Sequence, residues 1–70
     1  MTKKEIRDLL KGGIKMGYIQ FLDPTDADYI LGMIKDGDDL EDIFRAIDDS
    51  CKVTYGAEKV EDLKDEFEGL

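Results

Sequence analysis

The 70-residue chain contains no histidine, and this absence narrows the chemistry that it can perform. Histidine is the usual base for serine and cysteine nucleophiles and a common ligand of zinc. With only one cysteine as well, a zinc site or another transition-metal site is not expected. The chain also lacks a phosphate-cradling glycine motif and a nucleophile in a recognisable setting. We therefore predict a protein that is not an enzyme and that binds no cofactor and no metal.

The one cysteine, Cys51, cannot form an internal disulfide, which is typical of a protein from a reducing compartment. It falls on the apolar side of a predicted helix, where a thiol acts as a small hydrophobic group. Long hydrophobic runs are missing too, since none approaches the roughly 20 residues of a membrane-spanning helix. The N-terminus lacks the apolar segment of a signal peptide. We expect a cytoplasmic protein that makes no contact with a membrane.

What the chain does contain is an even balance of hydrophobic and charged residues, 41% and 40% of the total. This composition is typical of a globular core beneath a solvated surface rather than of disorder. Seventy residues suit one small domain, so residues 1–70 are predicted to form a single acidic helical domain. The predicted fold class is mainly α, a small helical bundle around a central helical hairpin.

The central hairpin is predicted over residues 23–51, where a glycine turn joins two apolar-periodic segments. Asp23 is the expected N-cap of the first arm, and the only proline of the chain follows it at the first helical position. Gly37 supplies the left-handed residue that commonly ends a helix. Asp38 and Glu41 have the spacing of a capping box, which predicts the start of the second arm.

The two arms of the hairpin differ in how apolar residues are distributed around each helix. Those of the first arm cover a broad arc and comprise Ala27, Tyr29, Ile30, Leu31, Met33 and Ile34. Such an arc predicts burial on two sides. Those of the second arm form a narrow seam, which comprises Leu40, Ile43, Phe44, Ile47 and Cys51. The second arm is therefore predicted to lie at the surface and to expose acidic side chains.

Residues 2–11 are predicted to form the first helix, with Thr2 and Glu5 in capping-box spacing. Gly12 and Gly13 are expected to end or loosen it, because two successive glycines cost on the order of 2 kcal/mol of helix propensity relative to alanine. If the helix continues, four basic residues line up on one side of it. This basic stripe comprises Lys4, Arg7, Lys11 and Lys15.

Residues 14–22 fit either a helix or a strand, because the run is short, mostly apolar and rich in aromatic and β-branched residues. The mainly helical interpretation is preferred. The alternative is an α+β fold in which residues 18–22 and 52–55 form a minor two-strand pairing. From Gly56 onward an amphipathic helix is predicted. Its apolar stripe comprises Ala57, Val60, Leu63, Phe67 and Leu70.

Negative charge is concentrated in the middle of the chain, whose overall net charge is −8. Residues 1–22 carry five bases and two acids, a net charge of +3. Residues 23–50 carry two bases and ten acids, a net charge of −8, and residues 51–70 carry three and six, a net charge of −3. Such an asymmetry can orient the encounter with a charged partner. Acidity that serves only solubility is the competing explanation.

The acidic cluster at residues 36–42 does not fit an EF-hand, because leucine and glutamate occupy the fifth position and the position of the turn glycine. The hairpin resembles a DNA-binding helix-turn-helix in outline. Its second helix, however, has five acids at or near its surface against Arg45 alone, so phosphates would repel it. Direct nucleic-acid binding is therefore not expected, and the closely spaced carboxylates would instead imitate a phosphate backbone.

We predict a small acidic protein-interaction module that regulates or inhibits another protein, with a basic nucleic-acid-binding protein as one candidate partner and DNA mimicry as one mechanism. The predicted binding face comprises Asp38, Glu41, Asp42, Arg45, Asp48 and Asp49. An alternative binding face comprises Val60, Leu63 and Phe67. A different class of function is a self-associating structural module, in which a homodimer interface covers apolar side chains.

Overall fold

Four helices and one short pair of strands make up the computed structural model, which describes residues 1–70. In chain order they are α1 (Lys3–Met16), β1 (Gln20–Phe21), α2 (Pro24–Asp36), α3 (Leu40–Ser50), β2 (Val53–Tyr55) and α4 (Ala57–Glu68). The predicted mainly α fold class is confirmed. The minor two-strand pairing, which was the alternative, is also present.

Helix α1 begins where the sequence predicts but ends several residues after its predicted end. The backbone N–H of Glu5 donates to Oγ1 of Thr2, and the N–H of Thr2 donates to Oε1 of Glu5, both at 3.1 Å. This is the predicted capping box. The prediction that Gly12 and Gly13 end the helix is wrong, because α1 continues through both of them to a left-handed Gly17 with φ of 81°.

Tertiary packing explains why α1 continues through its two glycines. A Cβ atom on the buried Gly13 would lie 2.9 Å from Cδ1 of Ile19, so the glycine lets the following segment pack directly against the helix. The carbonyl of Gly13 also accepts the backbone N–H groups of Tyr18 and Ile19, at 2.8 and 3.0 Å. Burial of Ile14 and Ile19 offsets the roughly 2 kcal/mol of helix propensity that the glycines cost.

The ambiguous residues 14–22 are divided between a helix and a strand. Their first three residues complete α1, and strand β1 follows after a turn. The two strands pair antiparallel, with Gln20 opposite Tyr55 and Phe21 opposite Val53. The pairing therefore occurs where the alternative placed it, over a shorter stretch.

The helical hairpin formed by α2 and α3 is confirmed. Asp23 caps α2 by accepting the backbone N–H and the hydroxyl of Thr25, at 3.0 and 2.9 Å. Gly37 ends α2 in the left-handed conformation, with φ of 80°. Both ends of α2 therefore follow from local sequence signals.

The predicted capping box at Asp38 and Glu41 is wrong, because Asp38 completes the end of α2. Its backbone N–H donates to the carbonyl of Met33 at 3.1 Å, beside the matching bond from Gly37. Helix α3 consequently begins one residue later, and Asp39 is an N-cap whose side chain makes no capping hydrogen bond. Glu41 then occupies the second helical position instead of the third.

The core contains fourteen hydrophobic side chains and no charged or polar one. It comprises Ile6, Leu10, Ile14, Ile19, Phe21, Ile30, Ile34, Leu40, Ile43, Phe44, Ile47, Cys51, Val60 and Leu63. The narrow seam predicted for the second arm is confirmed, since all five of its residues are buried. The first arm is buried on a narrower arc than predicted, because Ile30 and Ile34 are buried while Tyr29 is exposed.

Helix α4 follows β2 after a single residue, Gly56. This glycine has φ of 79°, and a Cβ atom there would overlap the carbonyl oxygen of Tyr18, so the close approach of the two segments requires glycine. The predicted amphipathic helix is confirmed, with Val60 and Leu63 in the core. None of the four helices combines the length and the hydropathy of a bilayer-spanning segment.

Candidate functional site

The predicted binding face lies along the outer side of α3 and in the turn before it. All of its members are exposed: Asp38, Glu41, Asp42, Arg45, Asp48 and Asp49. Since α3 buries only a narrow seam, the rest of its surface is available to other molecules. The structure thus places the predicted residues on one exposed surface.

Arg45, the only base on α3, is ion-paired within its own helix. Its Nη2 donates to Oε1 of Glu41 at 3.0 Å, and its Nη1 lies 3.6 Å from Oδ1 of Asp42. Both pairs are exposed, so they contribute little to stability. Their consequence is electrostatic, because the single positive charge of this helix is not free to bind an anion.

A second ion pair joins α3 to α4. Nζ of Lys64 donates to Oδ2 of Asp48 at 2.6 Å, and this hydrogen bond raises the pKa of Lys64. Six exposed acids lie on α4: Glu58, Glu61, Asp62, Asp65, Glu66 and Glu68. Helices α3 and α4 together carry ten acids and three bases, and we call their exposed acids and Asp38 the acidic face. The sequence alone does not reveal the α4 part, because only tertiary packing decides which helix lies beside α3.

The alternative binding face on α4 belongs largely to the core. Val60 and Leu63 are buried, whereas Phe67 is half-buried with its ring centroid 5.7 Å from that of Phe44. Phe67 lies in a groove of about 200 Å³ between α3 and α4. The charged residues along this groove are Glu41, Arg45, Asp48, Asp49, Lys64 and Glu68. Phe67 therefore adjoins the acidic face, whereas Val60 and Leu63 are buried.

A second surface, which sequence analysis missed, is an apolar groove of about 420 Å³ between α1 and α4. Leu9, Met16 and Tyr18 border it and are 51%, 70% and 54% exposed. Nζ of Lys59 lies 5.7 Å from the centroid of the Tyr18 ring, within the range of a cation–π contact. Leu9 shares the helical period of Ile6 and Leu10, but those two residues are buried in the core whereas Leu9 is exposed. The sequence signal that could have indicated this surface is the spacing of Leu9 and Met16, which lie two turns apart on one side of the helix.

Two features of the chain bear on reactive chemistry: its potential metal ligands and its one thiol. No three His, Cys, Asp or Glu side chains converge closely enough to hold a metal ion. Burial raises the pKa of the Cys51 thiol, and the negative charge of Asp26 raises it further. A thiol with a raised pKa is a poor nucleophile, which agrees with the predicted structural role of Cys51.

The two surfaces differ in their chemistry. The acidic face presents charge of one sign, which suits a basic partner. The apolar groove presents uncovered hydrophobic area, which suits burial against another molecule. No family model, no curated protein and no solved structure matches this chain.

Proposed function

We propose that this chain is a non-catalytic protein-interaction module that binds a basic surface of another protein through its acidic face. The observation that carries the proposal is the separation of charge from the core. The core contains no charged side chain, while every acid on α3 and α4 is exposed. Exposed acids contribute little to the stability of the fold, so their clustering supports a role in contacts with another molecule.

The chemistry favours a basic nucleic-acid-binding protein as the partner. Carboxylates held at close spacing on two packed helices present repeated negative charge, as a phosphate backbone does. Direct DNA binding through the α2–α3 hairpin is disfavoured, because Arg45 is already paired with Glu41 and Asp42 and the remaining carboxylates repel phosphates. A regulator of this kind would occupy the partner's nucleic-acid site and block it.

Charge reversal on the acidic face tests this proposal. Asp42→Lys with Asp49→Lys moves the net charge from −8 to −4, since each substitution adds two charges. The matched control, Asp28→Lys with Asp36→Lys on the exposed side of α2, makes the same change elsewhere. A partner captured with the wild-type chain should associate about ten-fold more slowly with the face variant than with the control. Urea midpoints should hardly move, because exposed charges contribute little to folding.

Two further measurements complete the test. Raising the salt concentration should weaken the wild-type complex through screening. Arg45→Gln, which frees two carboxylates, should speed association. Equal association of the face variant and the control, together with an affinity that ignores salt, would rule out the acidic face and leave the acidity as a determinant of solubility.

Self-association is the second candidate function, and the exposed apolar groove favours it. Leu9, Met16 and Tyr18 are each more than half exposed around this one groove, and clustered exposed apolar side chains often mark a contact site. The groove lies between α1 and α4, whereas the acidic face is centred on α3, and the two surfaces meet at Asp62. The two functions are therefore compatible in one molecule.

A further inference from the structure

The α1 side of the apolar groove carries residues that lie outside the core of the single chain. On α1 it is formed by Leu9, Gly12 and Met16, which follow one another at helical spacing. Tyr18 and Leu63 extend it toward α4. Large exposed apolar side chains around a concave surface are typical of an interface that another molecule covers.

Gly12 lies in the middle of this surface, and the single chain does not require a glycine there. Its backbone is helical, and a Cβ atom at this position would meet no heavy atom within 4 Å. A glycine inside a helix costs about 1 kcal/mol relative to alanine. Packing against Ile19 explains the neighbouring Gly13, whereas no contact within the chain explains Gly12. A missing side chain between two large apolar ones allows the backbone of another helix to approach closely.

We propose that this surface is a homodimer interface, in which two copies of α1 pack antiparallel about a two-fold axis near Gly12. Such an interface is isologous, so every contact occurs twice. Leu9 and Met16 are seven residues apart, which is about 10.5 Å along the helix and within about 20° of the same side. In an antiparallel pair centred near Gly12, Leu9 of each copy lies opposite Met16 of the other. Each copy thus covers the exposed apolar residues of its partner.

Charge complementarity favours a second copy over any other occupant. Asp8 and Lys15 flank the apolar surface on one edge, are exposed, and have no ion-pair partner within their own chain. They are also seven residues apart, so the same two-fold axis places Asp8 of each copy opposite Lys15 of the other. A parallel pair would instead oppose like charges. The rest of the basic stripe lies farther round α1, away from the groove.

The proposed dimer leaves α3 uncovered in both copies. One assembly would therefore present two acidic faces, and a partner with two basic sites at a matching distance would gain avidity. The dimer interface rests on the second candidate function, self-association. It does not depend on the function proposed for the acidic face, because the substitutions that test the two surfaces lie on different helices, α1 and α3.

Sedimentation equilibrium of the 70-residue chain tests the interface, with Gly12→Arg as the variant. An arginine side chain there would block the close approach and should weaken dimerisation by about ten-fold or more. Gly32→Arg is the matched control, since Gly32 is also helical and a Cβ atom there would likewise meet no heavy atom within 4 Å. The control should dimerise as the wild type does. A wild-type chain that remains monomeric at about 1 mM, even if it binds an apolar peptide in the groove, would overturn the proposal, as would equal weakening by both variants.

A charge exchange tests the antiparallel arrangement. Asp8→Lys alone and Lys15→Asp alone each oppose like charges across the axis, so each should weaken the dimer several-fold. The double variant restores two pairs of opposite charge and should recover wild-type dimerisation. Circular dichroism checks that each variant remains helical. A double variant that dimerises no better than the two single variants would overturn the antiparallel pairing about Gly12.

Discussion

Helices α1 and α3 bury similar stripes in the same core and differ in what they expose. Apart from Gly13 in α1, the buried stripe of each is made of large aliphatic or aromatic side chains. Helix α1 carries five bases and two acids, whereas α3 carries one base and four acids. Outside its buried stripe α1 exposes Leu9 and Met16, while α3 exposes no large hydrophobic side chain.

This difference shows that folding constrains only one side of each helix. Exposed side chains contribute little to the free energy of unfolding, so they can vary without loss of the fold. The outer side of α3 is suited to long-range electrostatic attraction, and that of α1 to short-range apolar contact. We therefore propose that the two helices make different contacts, α3 with a basic partner and α1 with a second copy.

The largest expected effect on stability comes from substitution in the buried stripe of α3, in contrast to substitution of the exposed apolar residues of α1. Phe44 is 3% exposed and packs against Phe67, so Phe44→Ala should cost about 3–5 kcal/mol, comparable with the whole stability of so small a domain. Leu9→Ala should change the free energy of unfolding by less than about 0.5 kcal/mol, because Leu9 is half exposed. Urea denaturation at micromolar concentration measures both. A Phe44→Ala variant with wild-type stability would show that the α3 seam does not form the core.

An intermediate effect, of opposite sign in the two regions, is expected at Gly12 in α1 and Gly37 before α3. A Cβ atom has no neighbour within 4 Å at either position, so replacement by alanine tests the backbone alone. Gly37 has φ of 80°, where alanine is strained by about 1–2 kcal/mol. Gly12 is helical, where alanine is favoured by about 0.5–1 kcal/mol. Urea midpoints should fall for Gly37→Ala and rise for Gly12→Ala, and shifts of the same sign would contradict these helix boundaries.

The smallest effect concerns the starts of the helices, where α1 and α2 have side-chain caps and α3 has none. The backbone N–H of Thr2 lowers the pKa of Glu5 from its usual 4.5, and that of Thr25 lowers the pKa of Asp23 from its usual 3.8. The stabilisation from each carboxylate is present above its pKa in the unfolded chain and is lost as the pH falls through the lower pKa of the folded chain. Stability should therefore decrease below about pH 4.

Asparagine substitutions assign this acid sensitivity to the caps. Asp23→Asn keeps an acceptor oxygen that does not titrate, so thermal unfolding of the variant should lose less stability than the wild type between neutral and acid pH. Asp39→Asn, at the uncapped start of α3, should leave the acid sensitivity unchanged. If the loss of stability at acid pH changed equally in both variants, the cap of α2 would not contribute to the acid sensitivity.

Local signals predicted several of these features correctly. Thr2 and Asp23 cap helices because their side chains reach backbone N–H groups two or three residues away, and Gly37 ends a helix through its own backbone conformation. The end of α1 was not predictable in this way, since it depends on Ile19 packing against Gly13. The start of α3 was misplaced because Asp38 serves the preceding helix.

The order of residues along the chain is enough to indicate four helices, though not all of their ends, together with the buried side of α3 and the uneven distribution of charge. Periodicity, caps and net charge are properties of neighbouring residues. The order of residues does not define which helices become neighbours. The packing of the whole core places α4 beside α3, where it extends the acidic face. The same packing makes α1 and α4 enclose an apolar groove at Leu9 and Met16. Exposed carboxylates and the outer side of α1 contribute little to that packing, so their arrangement in space is a consequence of where the buried stripes meet.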